Sequence, residues 1–145
     1  SEFKKDRIAV SVQIADHLSC HMHSGQMQQV FLNLFINAKQ AMHHHGGTLT
    51  IEALAQHEAL SIIVSDTGCG IQEDILSKIF DPFVSTKLNE NNTDLQGTGL
   101  GLVICKEIIE SHSGSIRVTS EINKGTTFTI VIPQTNQSSN QNENK

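Results

Sequence analysis

The chain has 145 residues, which is the size of one ordinary domain and enough to bury a single core. Its formal charge of −5 gives no general basic surface, and its ten Lys and Arg form no local cluster, which argues against nucleic-acid binding. The three cysteines are odd in number and widely spaced, which favours reduced thiols and a cytoplasmic location over a disulfide framework. No apolar run is long enough to span a bilayer, although a parent protein could carry a membrane anchor.

Residues 7–133 carry the patterns of a folded domain, whereas the two ends do not. The opening Ser1-Glu2-Phe3 is typical of a cloning remnant, so we expect residues 1–6 to be such a remnant or a linker from an upstream hairpin. Residues 134–145 contain no large apolar side chain, which indicates a disordered tail or linker.

The first half of the chain predicts a strand, a helix and a hairpin. Polar and apolar residues alternate over 7–14, as in a half-buried strand. Apolar residues recur at three- and four-residue steps over 24–43, which predicts a well-buried helix. Residues 46–66 are predicted to form two strands that turn near residues 56–58.

The second half predicts two helices and a second pair of strands. Residues 71–80 are predicted to form a short helix, and the polar run 88–96 a mobile loop. Helical spacing resumes at Leu100 and continues to Gly114. Strands are expected at 115–121 and 126–133, around a turn at 123–125, and no internal repeat is present.

Three glycines stand on alternate positions in "QGTGLGL" where the polar loop meets the second long helix. Gly97, Gly99 and Gly101 would let an anion reach the free N–H groups at a helix N-terminus without a Cβ in the way. A helix cap with flexible glycines explains the same pattern about as well. The spacing differs from that of a dinucleotide-binding fingerprint, and no strand precedes it.

Two amides lie in the apolar stretch "NLFINA". Asn33 and Asn37 are four residues apart, so they share one face of the first long helix. Amide oxygens there could bind a hard cation together with its phosphate. The alternative is that both asparagines cap neighbouring loops.

The stretch "SDTGCGI" places an aspartate at the end of an apolar strand. The carboxylate of Asp66 could accept a hydrogen bond from an amino group, while Gly68 and Gly70 would admit a flat ring. A plain turn would also use Asp and Gly.

The order of these motifs is more specific than any one of them. The asparagine box, "DTGCGI", "FDPFVSTK", "GTGLGL" and "GTTFTI" resemble the N, G1, F, G2 and G3 boxes of the GHKL ATP-binding superfamily. The resemblance covers about residues 7–133, and is closest to the catalytic domain of a bacterial two-component sensor histidine kinase of the nitrogen-regulation-like branch.

The resemblance implies a two-layer α/β sandwich of the Bergerat type. It would have a mixed, mostly antiparallel sheet of about five strands, with three helices on one face. It also implies ATP and Mg²⁺ as ligands, a histidine on a separate dimerisation hairpin as the phosphoryl acceptor, and a response regulator as the indirect partner. The isolated domain is expected to be monomeric.

The resemblance also implies a role for each box residue. Asp66 would accept from the adenine amino group, supported by Thr126, with Gly68 and Gly70 bordering the base. Asn37 would hold Mg²⁺, with Asn33 beside the phosphates. The lid over the phosphates would comprise Gly97, Thr98, Gly99, Leu100 and Gly101. Lys87 would lie near the γ-phosphate as a catalytic cation, together with Asn33. Phe80 and Phe83 would anchor the lid or face the partner helices, although Phe80 fits an ordinary core aromatic equally well.

Asn33 also bears on the type of reaction. Hydrolytic members of the superfamily carry a glutamate at this position to activate water, and an amide cannot act as a base at neutral pH. We therefore expect the domain to hold ATP for a nucleophile other than water.

The eight histidines supply no such nucleophile. His57 alone precedes an acidic residue, and it falls in the predicted hairpin turn rather than on a helix. The runs "HLSCHMH" and "HHH" could suggest a zinc site, but surface histidines at a loop and a helix C-terminus are the preferred interpretation. The chain is therefore expected to be unable to phosphorylate itself. Two other functions stay open: a regulatory nucleotide-binding module of the anti-sigma type, and a hydrolytic ATPase.

Overall fold

The computed structural model describes residues 7–15, 18, 22–81 and 101–134. Within these ranges, the strands and helices in chain order are β1 (Ile8–Ile14), α1 (Ser24–Ala41), β2 (Gly47–Gln56), β3 (Ala59–Asp66), α2 (Glu73–Leu76), α3 (Gly101–Ser111), β4 (Ser115–Glu121) and β5 (Gly125–Pro133). Every predicted element in these ranges is present, with α2 shorter than expected.

The strands form one mixed sheet in the order β1-β2-β3-β5-β4. β1 runs parallel to β2, and each of the other neighbouring pairs is antiparallel. β2 and β3 are joined by His57 and Glu58, which have φ values of 52° and 61° and so take the mirror-image turn that suits a two-residue hairpin. The predicted turn, and the placement of His57 in it, are confirmed.

The hydrophobic core lies between one face of the sheet and the helices. Alternate residues of β5 are buried, as expected for a strand with only one covered face. The helices cover that face with buried side chains, which are Met27, Val30, Leu34 and Ala38 from α1 and Cys105, Ile108 and Ile109 from α3. The predicted two-layer sandwich, with helices on one face, is confirmed.

The two long helices are tied together by histidines. The Nδ1–H of His112 donates to the carbonyl of Ile108 at 2.8 Å, since a carbonyl can only accept. Nε2 of His112 is then free to accept from the backbone N–H of His23 at 2.9 Å. His23 in turn caps α1, because its Nδ1 accepts from the backbone N–H of Gln26 at 3.2 Å. These two histidines therefore hold the start of α1 against the end of α3.

β1 is more exposed than its sequence pattern predicts. Ile8 is buried, but Val10, Val12 and Ile14 are 48 to 57 % exposed. β1 lies at the edge of the sheet, whereas α1 contacts β3 and α3, and α3 contacts β4. The helical layer is centred away from β1, so the alternation marks a sheet face that the helices do not fully cover.

α2 is shorter than the predicted helix over 71–80. Regular helix extends only over Glu73–Leu76, and turns follow to Phe80. The hydroxyl of Ser77 donates to the carbonyl of Asp74 at 3.1 Å, a local hydrogen bond that competes with continuation of the helix.

Across the described ranges, no helix combines the length and the apolar character that crossing a membrane requires.

Candidate functional site

Three polar side chains stand in a row across the sheet. Asp66 of β3 pairs with Thr126 of β5, and Thr126 pairs with Ser120 of β4. Residues paired directly across antiparallel strands point to the same face, which here is the face of the buried Val64 and Phe128. Asp66 and Thr126 are only 9 % and 4 % exposed, so the core carries a polar group at this edge.

Asp66 is held by backbone donors. Its Oδ1 accepts from the N–H of Gly68 at 2.9 Å. Burial raises the pKa of the Asp66 carboxyl above 3.8, while backbone hydrogen bonds from Gly68 and Thr126 act in the opposite direction. A carboxylate in this position is a fixed hydrogen-bond acceptor with little competing water.

Ser120 connects three segments around Asp66. Its Oγ accepts from the N–H of Ile71 at 2.8 Å and donates to the carbonyl of Gly125 at 2.9 Å. It also lies 2.8 Å from Oγ1 of Thr126. Ser120 is not among the residues predicted for the site, although its position could be recognised: it continues the two-residue alternation of Ile116 and Val118 on the covered face.

The loop after Asp66 is clamped between α1 and the β4–β5 turn. The N–H of Cys69 donates to the carbonyl of Ala41 at 3.0 Å, and the N–H of Asn123 donates to the carbonyl of Cys69 at 2.8 Å. A Cβ on Gly68 would lie 2.6 Å from the Ala41 oxygen, and one on Gly70, whose φ is 76°, would collide with the carbonyl of Glu121.

The glycines of this loop are therefore required by the protein's own backbone. The prediction that Gly68 and Gly70 also admit a flat ring is a separate reason for glycine at these positions. Gly125 follows the same rule: its φ is 127°, and a Cβ there would collide with the backbone oxygen of Asp66.

Asn33 lies on the flank of α1 that faces the start of α3. Nδ2 of Asn33 donates to the carbonyl of Gly101 at 3.2 Å and to Sγ of Cys105 at 3.7 Å. Its Oδ1 is then the atom available to a ligand. Asn37 lies one turn further on and is half-buried like Asn33. Among the described residues, a Cβ on Gly101 would make only ordinary contact with Asn33, at 3.6 Å, so their packing does not require glycine at this position.

Cys105 accepts a hydrogen bond from Asn33 at the edge of the core. Its thiol is fully buried and donates to the carbonyl of Val30 at 3.7 Å. Burial raises the pKa of the Cys105 thiol to about 11, although the hydrogen bond from Asn33 acts in the opposite direction. Cys105 is thus a neutral thiol at physiological pH, and no reactive role follows from it. Cys69, in the loop after Asp66, is exposed.

These contacts give the site two ends. Asp66 and its loop dock at Ala41, the last residue of α1, whereas Asn33 meets the start of α3. Asn33 and Ala41 are eight positions apart (41 − 33), which corresponds to about 12 Å along the helix axis. The arrangement suits an elongated ligand with a hydrogen-bond donor at one end and anionic groups at the other.

Several residues predicted for the site lie outside the described residues. They are Phe83, Lys87, Gly97, Thr98, Gly99 and Leu100. Phe80 is described: it packs against the core, and Nζ of Lys106 lies 5.8 Å from the centre of its ring. This position agrees with the interpretation of Phe80 as a core aromatic.

The described residues contain no group of three or more His, Cys, Asp or Glu that could hold a metal ion. In the described part of the chain, the amide oxygens of α1 are candidate ligands for a cation bound together with phosphate. Asn37 and Oδ1 of Asn33 fit this role, because Mg²⁺ prefers oxygen ligands and usually takes few of them from the protein.

Comparison with known proteins agrees with this geometry. Residues 22–136 match the family model described as histidine kinase-, DNA gyrase B- and HSP90-like ATPase. The sensor histidine kinase ZraS of Escherichia coli K12 is 41 % identical over 108 residues, which cover 74 % of this chain and 22 % of ZraS. The chain thus spans about a fifth of that relative.

Solved structures show the same fold. The catalytic domain of histidine kinase ThkA, in a nucleotide-free form, superposes with a TM-score of 0.78 at 32 % identity, covering 92 % of this chain and 83 % of that domain. Histidine kinase ThkA in its complex with the response regulator protein TrrA superposes with a TM-score of 0.70 at 26 % identity, covering 92 % of this chain and 36 % of that one. The chain belongs to the histidine kinase-, DNA gyrase B- and HSP90-like ATPase family, and within it resembles the catalytic domains of sensor histidine kinases.

Proposed function

We propose that this domain binds ATP with Mg²⁺ and donates the γ-phosphoryl group to a histidine on a separate dimerisation hairpin of the same kinase. The observation that carries the proposal is the buried carboxylate of Asp66, which ends β3 beside Thr126. A buried acceptor without a cationic partner among its described contacts is explained by a ligand that brings a donor.

At the base end, Asp66 accepts from the adenine amino group. The backbone N–H groups of Gly68 and Thr126 donate to this carboxylate, whose two oxygens together offer about four acceptor sites, so capacity remains for the base. Thr126 stands beside it and supports the contact. Gly68 and Gly70 let the loop approach α1 and β4 closely, which shapes the wall of the base pocket.

At the phosphate end, Asn37 holds Mg²⁺ and Oδ1 of Asn33 lies beside the phosphates. Mg²⁺ supplies charge neutralisation of the triphosphate. Gly101 opens α3, where free N–H groups favour an anion. Gly97, Thr98, Gly99 and Leu100 close the site as a lid, and Lys87 meets the charge that develops on the γ-phosphoryl group.

Asn33 cannot act as a base, which argues against hydrolysis and supports transfer of the γ-phosphoryl group to a histidine. The amide nitrogen of Asn33 is engaged by Gly101, and an amide does not take a proton from water at neutral pH. The imidazole nitrogen of the acceptor histidine forms a bond to the γ-phosphorus, the bond from that phosphorus to the β–γ bridging oxygen breaks, and ADP leaves.

The partners follow from the relatives. ThkA is a histidine kinase that has been solved with a response regulator protein, which supports a regulator as the final acceptor of the phosphoryl group here. We also propose that the isolated domain is monomeric, binds no nucleic acid and works in the cytoplasm. Membership of the nitrogen-regulation-like branch stays a prediction.

Phosphoryl transfer is tested by mixing this chain with the helical hairpin of its parent protein and ATP labelled on the γ-phosphate. We expect acid-labile label on a hairpin histidine, none on this chain alone, and little free phosphate. Tight ATP binding with no labelled hairpin would favour the regulatory binding module. Steady phosphate release from the chain alone would favour a hydrolytic ATPase.

A further inference from the structure

In the row formed by Asp66, Thr126 and Ser120, the last two residues carry hydroxyl groups. The polar neighbours of these hydroxyls determine which group donates in each hydrogen bond. A serine hydroxyl has one proton to donate and two lone pairs that accept. Oγ of Ser120 has three polar neighbours, the N–H of Ile71, the carbonyl of Gly125 and Oγ1 of Thr126. Its single proton can serve only one of them.

The carbonyl of Gly125 takes that proton. A carbonyl oxygen cannot donate, so the 2.9 Å contact exists as a hydrogen bond only if Ser120 donates to it. The N–H of Ile71 can only donate, so it occupies one lone pair of Ser120. The remaining contact, at 2.8 Å, must then be a donation from the hydroxyl of Thr126 to the second lone pair of Ser120.

The direction of this hydrogen bond decides what the Thr126 hydroxyl can offer to a ligand. With its one proton committed to Ser120, the Thr126 hydroxyl can only accept from a ligand or from a water that bridges to it. Asp66 beside it is also an acceptor. Asp66 and Thr126 therefore present two acceptors side by side.

We propose that Ser120 is a specificity-determining residue, which orients the Thr126 hydroxyl as an acceptor and thereby selects 6-amino purines over 6-oxo purines. The inference rests on the proposed ATP site. The amino group at C6 of adenine carries two N–H donors, which suit two acceptors. Inosine and guanine carry an oxygen at C6, which is repelled by these acceptors, and their single N1–H can donate to only one of them. Without Ser120, the Thr126 hydroxyl could rotate and donate to a 6-oxo group.

The test compares the affinities of ATP and inosine triphosphate, which differ in the group at C6 and in the proton at N1, for the parent chain and for Ser120→Ala. Loss of Ser120 also loosens the β4–β5 turn and lowers both affinities, but that effect is common to the two nucleotides. We expect the ratio of the two affinities to fall by about fivefold, which corresponds to about 1 kcal/mol, the worth of one hydrogen bond.

Three further variants isolate the hydroxyl direction. Ser120→Thr keeps the hydroxyl, so it should keep the parental ratio. Thr126→Val removes the oriented group, so it should lower the ratio, and adding Ser120→Ala to it should change the ratio no further. Ser65→Ala is the matched control: its hydroxyl pairs with that of Thr127 at 2.8 Å, on the opposite face of the same sheet.

The outcomes separate this inference from the function it rests on. A parent chain that binds neither nucleotide contradicts the ATP site itself. A parent chain that prefers ATP, with Ser120→Ala keeping the same preference, overturns the role of Ser120 and leaves the ATP site standing. If Ser120→Ala does not fold, a Thr126→Val variant with the parental ratio overturns the inference in the same way.

Discussion

Burial of the Asp66 carboxylate destabilises the folded domain at neutral pH. Its pKa is raised above 3.8 by burial, so the folded state binds the carboxyl proton more tightly than the unfolded state does. The favourable contribution of the protonated group is complete below pH 3.8 and is lost as the pH rises through the raised folded value. At neutral pH the ionised carboxylate thus opposes folding, which is tolerable if a ligand compensates.

Asp66→Asn should remove this pH dependence. We expect the free energy of unfolding of the variant, minus that of the parent, to increase with pH above 3.8 and then level off. Denaturant melts over a pH series measure the difference. ATP affinity should fall by about tenfold or more, because the amide cannot match a buried carboxylate as an acceptor. A difference that decreases with pH contradicts the assigned direction of the pKa.

Ser113 is a second residue in an unfavourable state. It follows α3 with a φ of 61°, and its N–H donates to the carbonyl of Glu110 at 2.9 Å, as in a left-handed helix end that favours glycine. This backbone angle makes glycine the favourable residue at position 113, because glycine has no Cβ to oppose a positive φ.

Ser113→Gly should stabilise the domain by about 0.5 to 1 kcal/mol, since relief of the left-handed strain exceeds the added freedom of the unfolded chain. Thermal and denaturant melts measure the change. Ser77→Gly is the control, because Ser77 follows α2 with an ordinary φ of −65° and should gain nothing. Equal effects of the two substitutions contradict the explanation.

At the scale of elements, the sequence predicted which segments are strands and helices, but not how segments contact one another. Period-two and helical spacing place α1, β4 and β5 within a few residues of their observed bounds. The exposure of β1 depends on where the helices lie over the sheet, and spacing within one strand cannot show that. The clamp of Gly68 on Ala41 joins segments 27 positions apart (68 − 41), so no local pattern reveals it.

The glycines separate into two groups that mutation can distinguish. Gly68→Ala brings a Cβ to 2.6 Å from the Ala41 carbonyl and should destabilise the fold by about 2 kcal/mol or more. Gly101→Ala meets only ordinary contacts and lies in a helix, so it should leave stability unchanged or raise it by up to about 1 kcal/mol.

ATP affinity gives the complementary result for these two variants. Gly101→Ala should weaken ATP binding while the fold stays intact, because in the proposed site its Cβ would lie where the phosphates approach α3. Melts and calorimetric titrations of both variants make the comparison. A Gly101→Ala variant that unfolds like Gly68→Ala contradicts the division.

At the scale of the whole molecule, the fold brings together residues that the sequence holds far apart. Asn33 reaches the start of α3 at Gly101, and Asp66 stands in a row with Thr126 and Ser120. The family motifs identified most of these positions because their order is specific. The motifs did not identify Ser120, because the proposed role of Ser120 depends on the hydrogen bonds of its hydroxyl to Gly125 and Thr126. Those contacts form only when β4 pairs with β5.

The central claim is that one site binds a purine through Asp66 and a metal triphosphate through Asn37. Calorimetric titration of a non-hydrolysable ATP analogue, with and without Mg²⁺, tests it most directly on the parent chain, Asp66→Ala and Asn37→Ala. We predict that Asp66→Ala loses affinity in both conditions and that Asn37→Ala loses the Mg²⁺ dependence, while Ser65→Ala behaves like the parent. Parental affinity and parental Mg²⁺ dependence in both site variants would contradict the account.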